Sequence, residues 1–520
     1  MKRFVSVMLA LAMTLTMSAC GGGSGSGGAA SSGGGSAAPS GETAGYQDTI
    51  VWCPRLDFIT QDIHHTPSMV TKGTYTWVYD QLIGVDAQTG ELVPVLCTEW
   101  EQIEGKKWKF TIREGIKFHN GDDLDAEDVK FSYEIAQDGN SAVRVNNIES
   151  MECPDPHTLI INTKTVDMDL LYKLTAPEVS ILSKDAFDKL PEEEAIKIGT
   201  GAYKYGEWKQ GEYIEFIANH DYWNGDPITE RIVLRYIPEA SARTIALQSG
   251  EVDLIQEPAT TDFANIQADD NLILKQYGGG MVPFIIMNTA VEPFNKLEVR
   301  QAVASALNME EMRQAVYQNF CIPLNNVMRT DNPYYAEVES FEHDLDKAKE
   351  LLAEAGYADG FSTVILTDSQ SVSVAQATIV QAQLQKIGIK VDIQNAESAA
   401  FNAAIAPGSA TPAPMITCGF SGYTYGPDAA LRVNFHSEGS QNYGNFHDDY
   451  VDEMLDKALA ETDDATRRQM YAELQQYLVD QAVYIPVCEE MNNVAMKKEI
   501  VGFRNPNGVI YDLRFVGIPE

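Results

Sequence analysis

Apolar and polar positions in this chain follow two different periods, and the change from one to the other outlines its elements. Between residues 108 and 112 the pattern alternates, with Trp108, Phe110 and Ile112 separated by Lys109 and Thr111. Such alternation predicts a strand with one buried face. A turn over 86–91 precedes it, and a Gly-rich turn at Asn120-Gly121 follows. Asp125 then reads as a helix N-cap, with Asp128 three residues on as a shorter relative of the capping box. Val129, Tyr133 and Ala136 give that helix its apolar stripe. From 199 the pattern predicts strand, turn, strand, a short helix over 240–249 stopped by Gly250, and a strand over 252–255. From 284 it becomes more helical. A buried strand ends in a turn by Phe294, and a helix over 297–308 carries Val299, Val303 and Leu307 on one face. Asp344 caps a helix that runs to Ala355 and ends at Gly356. A strand over 362–367, a helix over 373–387 ended by Gly388, and a strand over 389–393 form an α/β unit with a right-handed crossover. Amphipathic helices over 448–460 and 463–480 follow, and Tyr484-Ile485-Pro486 leads into the last strand region.

The amino terminus has a different character. Lys2 and Arg3 precede an apolar run over 4–15, too short for a stable membrane span and flanked like a signal peptide. Small residues then lead to Cys20, which resembles the bacterial lipobox, with Met17 where Leu is usual. That resemblance implies cleavage before Cys20 and diacylglyceryl attachment on its thiol, anchoring the protein without spanning the membrane. The alternative is an ordinary secretory signal with a chance cysteine. Residues 21–45 are almost all Gly, Ser and Ala and read as a flexible tether, reaching on the order of a few tens of ångströms. No second apolar run is long enough to span, so the body is expected to be soluble and exported.

Composition narrows the function. The chain of 520 residues is long enough for two or three domains, and its formal net charge of −37 argues against nucleic acid or an anionic lipid surface as partner. Six cysteines remain beside Cys20: Cys53, Cys97, Cys153, Cys321, Cys418 and Cys488. Their spacing is wide and contains no CxxC, so no zinc site is expected. An even number permits disulfides in any of fifteen connectivities, and free thiols are equally compatible. No G-x-S-x-G or H-E-x-x-H signature occurs, which speaks against an exported hydrolase. The absence of repeats speaks against an adhesive lipoprotein.

Two longer stretches carry a resemblance. Residues 79–134 begin YDQLIGVDAQTGELVPVLCTEW and continue through WKFTIREGIKFHNGDDLDAEDVKFSYE. Residues 199–254 begin GTGAYKYGEW and continue through NHDYWNGDPITERIVLRYIPEASARTIALQSGEVDL. Both are similar to the family 5 extracellular solute-binding proteins that deliver peptides, nickel chelates and related solutes to ABC importers, with mild departures such as Ala202 for Pro. Asn288, Pro293, Phe294, Val299, Arg300, Gln301 and Ala302 match a further family phrase, as does DLDKAKELLAEAGY from Asp344. The resemblance implies an α/β, two-lobe, periplasmic-binding-protein-like fold (class II, or cluster C) with an additional inserted domain. On that basis 1–19 is signal peptide, 20–45 lipidated cysteine and tether, and 84–176 the inserted domain. Lobe I takes 46–83, 177–296 and 484–520, and lobe II takes 297–483. The implied function is capture of a small solute, a peptide or peptide-like molecule first. A sugar or oligosaccharide is the second reading, and a nickel chelate the third. The resemblance also implies delivery to ABC permease subunits by a monomer, with no cofactor, no resident metal and no catalysis.

The ligand site is expected at the lobe faces. The loop after the short apolar strand over 415–417 reads GFSGYTYGPD, bringing Phe420, Ser421, Gly422, Tyr423, Tyr425 and Asp428 together. In peptide-binding members the first Asp of this loop holds the α-ammonium; here Tyr423 stands in its place, and a neutral phenol cannot supply that charge-assisted bond. Tyr423 and Tyr425 could instead pack a lobe interface. Arg144, His64 and Asn442 are further candidates, each with a structural alternative: a solvated arginine, a loop histidine, a capping asparagine. Adjacent His64 and His65 make poor chelating geometry, since neighbouring side chains in a strand point to opposite faces. Trp52 and Trp77 are expected in the core.

Overall fold

The strand Thr49–Cys53 sits at the middle of a seven-stranded sheet because both of its neighbours run parallel to it and come from far along the chain. In this computed structural model, which describes residues 45–66, 68–86, 89–420, 426–504 and 511–519, the sheet order is Leu272–Tyr277, Asn492–Lys497, Leu254–Gln256, Thr49–Cys53, Arg231–Arg235, Tyr213–Ala218 and Tyr203–Lys209. Arg231–Arg235 and Leu254–Gln256 are the parallel neighbours, and the outer pairs are antiparallel. Trp52 and Trp77 lie in the core of this lobe with ring centroids 5.4 Å apart, as expected for large aromatics.

A second sheet of five strands has the order Lys390–Ala396, Ser362–Asp368, Met415–Phe420, Val282–Met287, Tyr484–Pro486. Ser362–Asp368 is parallel to both Lys390–Ala396 and Met415–Phe420, and the helix Ser371–Gln385 makes the crossover between the first two. Val282–Met287 is buried along its whole length, which is why its sequence is uninterrupted apolar rather than alternating. The helices Leu297–Ala306, Leu345–Glu354 and Asp464–Gln481 cover this sheet. Asp344, Asp448 and Asp463 cap their helices through side-chain oxygens, as their positions in the sequence suggested.

Residues 84–176 build a separate antiparallel sheet, Cys97–Glu104, Lys107–Ile112, Thr158–Thr163 and Ile148–Asp155 in that order. Trp108, Phe110 and Ile112 point into its core and meet Val129, Tyr133 and Ala136 of the helix stripe. Asp125 and Asp128 complete a reciprocal capping box at the start of Ala126–Ile135.

The hydrogen bonding moves two lobe limits away from the sequence expectation. Val282–Met287 and Tyr484–Pro486, assigned above to lobe I, pair with each other and with Met415–Phe420 in the second sheet. The physical reason is that a strand belongs to whichever sheet satisfies its backbone groups, and apolar pattern alone does not say which sheet that is. The chain therefore crosses between lobes at Gly278-Gly279-Gly280-Met281 and returns through Cys488–Glu490, the Gly280 N–H donating to the Glu490 carbonyl at 3.1 Å. Among the described residues no helix is long and apolar enough to cross a membrane.

Candidate functional site

Where the inserted domain meets the second lobe, a helix begins without a cap of its own. The helix Pro427–Phe435 has Pro427 at its first position and Gly426 as N-cap, and Gly426 has no side chain to satisfy the first N–H groups. The cap comes from Asp169, just before the helix Leu170–Lys173. Its Oδ2 accepts from the N–H of Asp428 at 3.0 Å and of Ala429 at 3.3 Å. A Cβ on Gly426 would stand 2.6 Å from that same oxygen, so the absence of a side chain at 426 is what admits the carboxylate. Beside it the Met168 N–H donates to the Leu459 carbonyl at 3.0 Å, and Tyr172 packs on the core of the second lobe. The segment 167–173 thus forms a clasp between the two bodies.

The electrostatics of the clasp are unbalanced. Asp428 is clamped by Arg432, whose Nε donates to both carboxylate oxygens at 3.0 and 2.8 Å. Asp167 pairs with Lys173 at 2.6 Å. Asp169 is buried, and among the described residues it has no salt-bridge partner and its Oδ1 has no hydrogen-bond partner. Burial, reinforced by the Asp428 carboxylate, pushes Asp169 up to about 7. Next to the clasp a groove of about 640 Å³ runs between the inserted domain and the second lobe, lined among others by Arg144, Asn147, Lys173, Asp428, Arg432 and His436.

The other sequence candidates fall in distinct places. Ser421, Gly422, Tyr423 and Tyr425 lie outside the described residues, as does Cys20. Phe420 ends its strand half-buried, with its ring 5.6 Å from Tyr443 and 5.9 Å from Tyr484, an aromatic platform at the end of that strand. Asn442 is buried and spent on its own loop. Its Nδ2 donates to the carbonyls of His436 and Phe446, and its Oδ1 accepts from the Phe446 N–H. His64 is buried, with Nδ1 at 3.1 Å from both the Ser141 hydroxyl and the Glu178 carbonyl, and burial lowers it to about 4, so its ring is neutral. Arg144 reaches Glu178, its Nε donating to Oε1 at 3.1 Å, and Lys72 approaches the same oxygen at 3.4 Å. Far from being a solvated surface arginine, Arg144 is held in a buried ion pair on the rim of the groove.

That pairing gives a first test. Arg144→Ala is expected to cost about 1–3 kcal/mol of stability by removing one of the cations paired with buried Glu178, Lys72 being another. Calorimetric scanning checks this, and solute affinity is expected to change less than threefold. A large loss of affinity at unchanged stability would instead make Arg144 a ligand contact.

Sequence reading passed over Asp169, which is separated by 259 residues from the Asp428 N–H that it caps. The available signal was the Gly426-Pro427 start of a helix with no capping side chain.

The comparisons with known proteins agree with this architecture. The family model for bacterial extracellular solute-binding proteins, family 5 (middle), matches residues 91–442. Heme-binding protein A of Haemophilus influenzae is 28% identical over 98% of this chain and 99% of its own length. Among solved structures, HbpA2 of Haemophilus parasuis superposes with a TM-score of 0.82 at 27% identity, covering 90% of this chain and 99% of that one. The periplasmic binding protein DppA of Helicobacter pylori, in complex with the peptide STSA, superposes with a TM-score of 0.76 at 26% identity, covering 92% and 99%. With about two thirds of its length matched by that model and the two-lobe fold shared throughout, this chain belongs to the family 5 bacterial extracellular solute-binding proteins.

Proposed function

We propose that the protein captures a peptide-like solute between its two lobes and delivers it to an ABC permease, without turnover, as a monomer tethered to the membrane through a lipid on Cys20. The observation that carries this reading is the clasp. A buried carboxylate of the inserted domain caps a helix of the second lobe at the edge of the groove between those two bodies, a contact expected to form as the lobes close and to part as they open. The peptide held by the Helicobacter pylori neighbour supports a peptide-like solute. Asp428 is already paired with Arg432, whose Nε donates to both of its oxygens, which disfavours it as the acceptor of a free α-ammonium. Together with Tyr423 in place of the family's acid, this favours a solute whose amino terminus is blocked, or one recognised through amides and ring faces. Phe420 and Tyr443 are the proposed platform for it, and Phe420→Ala is expected to weaken binding by about tenfold, in line with the loss of one aromatic contact.

The test is a thermal-shift screen of the chain after unfolding and refolding to strip carried solute. The panel holds free-amine peptides, N-acetylated peptides, hemin, oligosaccharides and nickel chelates; hemin is included because of the likeness to heme-binding protein A. A solute at a hundred times its dissociation constant adds about 2.7 kcal/mol, enough to raise the midpoint by a few degrees. The reading predicts the largest shifts with blocked peptides. Shifts confined to hemin, sugars or nickel chelates would replace the solute class.

A further inference from the structure

The returning crossing segment carries a cysteine beside a second cysteine of the second lobe. Cys321–Pro323 and Cys488–Glu490 form a two-stranded antiparallel ladder with Cys321 opposite Glu490 and Pro323 opposite Cys488. Cys321 and Cys488 are therefore diagonal neighbours on one face of the ladder, since positions two apart on a strand point the same way. Both are buried in the same apolar core as free thiols, and each thiol perturbs the other. None of the other described cysteines, Cys53, Cys97, Cys153 and Cys418, has a cysteine neighbour of this kind.

We propose that Cys321 and Cys488 form a disulfide in the exported protein and that this bond fastens the returning crossing to the second lobe. The balance is the same whichever thiol reacts first; take Cys321. Its thiolate displaces one sulfur from the disulfide of an extracytoplasmic thiol oxidant, giving a mixed disulfide and one thiol of the oxidant. Cys488 loses its proton and attacks the Cys321 sulfur, releasing the second thiol. The two protein thiols are oxidised by two electrons, and the disulfide of the oxidant is reduced to a dithiol. Cys321 and Cys488 are both buried, so the exchange belongs to the period before the ladder is packed.

The position gives the bond a mechanical role. Glu489, between the two ladder ends, accepts from the Gly279 N–H at 2.8 Å and from the Thr330 hydroxyl at 2.9 Å, and the Glu490 carbonyl accepts from Gly280. Fastening Cys488 to Cys321 keeps this strand with the second lobe during closure, and bending falls to Gly278–Gly280 and to Met491.

The test is thiol counting and non-reduced peptide mapping on the chain exported by a bacterial host. The expected result is one cross-linked peptide pair joining Cys321 to Cys488, with Cys53, Cys97, Cys153 and Cys418 alkylated without reduction. Reduction is expected to lower the thermal midpoint by several degrees in the wild type and to leave it unchanged in the Cys321→Ser/Cys488→Ser double variant. Free Cys321 and Cys488 in the exported protein, persisting after treatment with diamide as a chemical thiol oxidant, would overturn the proposal, as would a disulfide joining either residue to another cysteine. The mapping uses wild-type protein, so it decides the matter even where the variant fails to fold.

Discussion

Solute capture is expected to weaken by about tenfold as the pH rises from 5 to 7.5, and the loss is expected to vanish in Asp169→Asn. The carboxyl of Asp169 is raised from its ordinary value of 3.8 to about 7 in the clasped arrangement, first by burial and then by the Asp428 charge. With the lobes apart it is expected to stand in water near the ordinary value. For an acid raised in this way the sign is fixed. Clasping takes up a proton, is most favourable below the ordinary value, and loses that advantage progressively as the pH rises through the clasped value. The surrounding charges set the size of the effect. Lys173 and Arg467 favour the ionised form, while Asp428 and Asp167 oppose it, and Arg432 is committed to Asp428 and Asp456. Asparagine caps a helix about as well as aspartate and does not titrate, so the Asn variant is expected to bind equally at both pH values. Asp169→Ala removes the cap altogether and is expected to bind about tenfold more weakly than Asp169→Asn at either pH. Titration calorimetry of the three proteins at the two pH values reads the result. A wild-type affinity that is flat with pH, or an Ala variant equal to Asn, would remove Asp169 from the closing contact.

The largest stability effect is expected at Asp80. This buried carboxylate accepts from the Thr200 hydroxyl at 3.0 Å, the Tyr222 hydroxyl at 3.0 Å and the Trp223 Nε1–H at 2.9 Å, with an Arg514 nitrogen 3.8 Å away. It joins the start of the inserted domain to the chain's return near 200 and to the carboxy-terminal segment. Asp80→Ala strands three buried donors and part of a buried charge, a loss of about 3–5 kcal/mol. The thermal midpoint should fall by about 5 °C or more. Asp80→Asn keeps an acceptor in place and should lose less. A change below one degree in the Ala variant would show that the network is not what holds these segments together.

The same network explains why the two diagnostic stretches could be recognised at all. Tyr79-Asp80 of the first and Thr200, Tyr222 and Trp223 of the second meet in space, and Gly199 and Gly201 lie against the Trp77 and Val78 backbone and the Tyr79 ring with no room for a Cβ. Local signals were legible because they are local: Asp125 and Asp344 cap the helices that follow them, and Trp108, Phe110 and Ile112 face one core. Partnership across the chain was not. Arg144, His64 and Asn442 are polar residues in suggestive places, and their partners, Glu178 for the first two and the 436–446 loop for the third, are set by packing that no spacing encodes. Asp169 was invisible for the same reason, since its role depends on a helix that begins at Pro427. The sheet membership of Val282–Met287 likewise turned on which edge was free to receive it.

The most direct test of solute capture between closing lobes is small-angle X-ray scattering on the solute-stripped chain, before and after a saturating N-acetylated peptide. A smaller radius of gyration is expected with the peptide, reached at lower peptide concentration at pH 5 than at pH 7.5. Peptide binding with unchanged scattering, or no binding by any peptide tested, would contradict it.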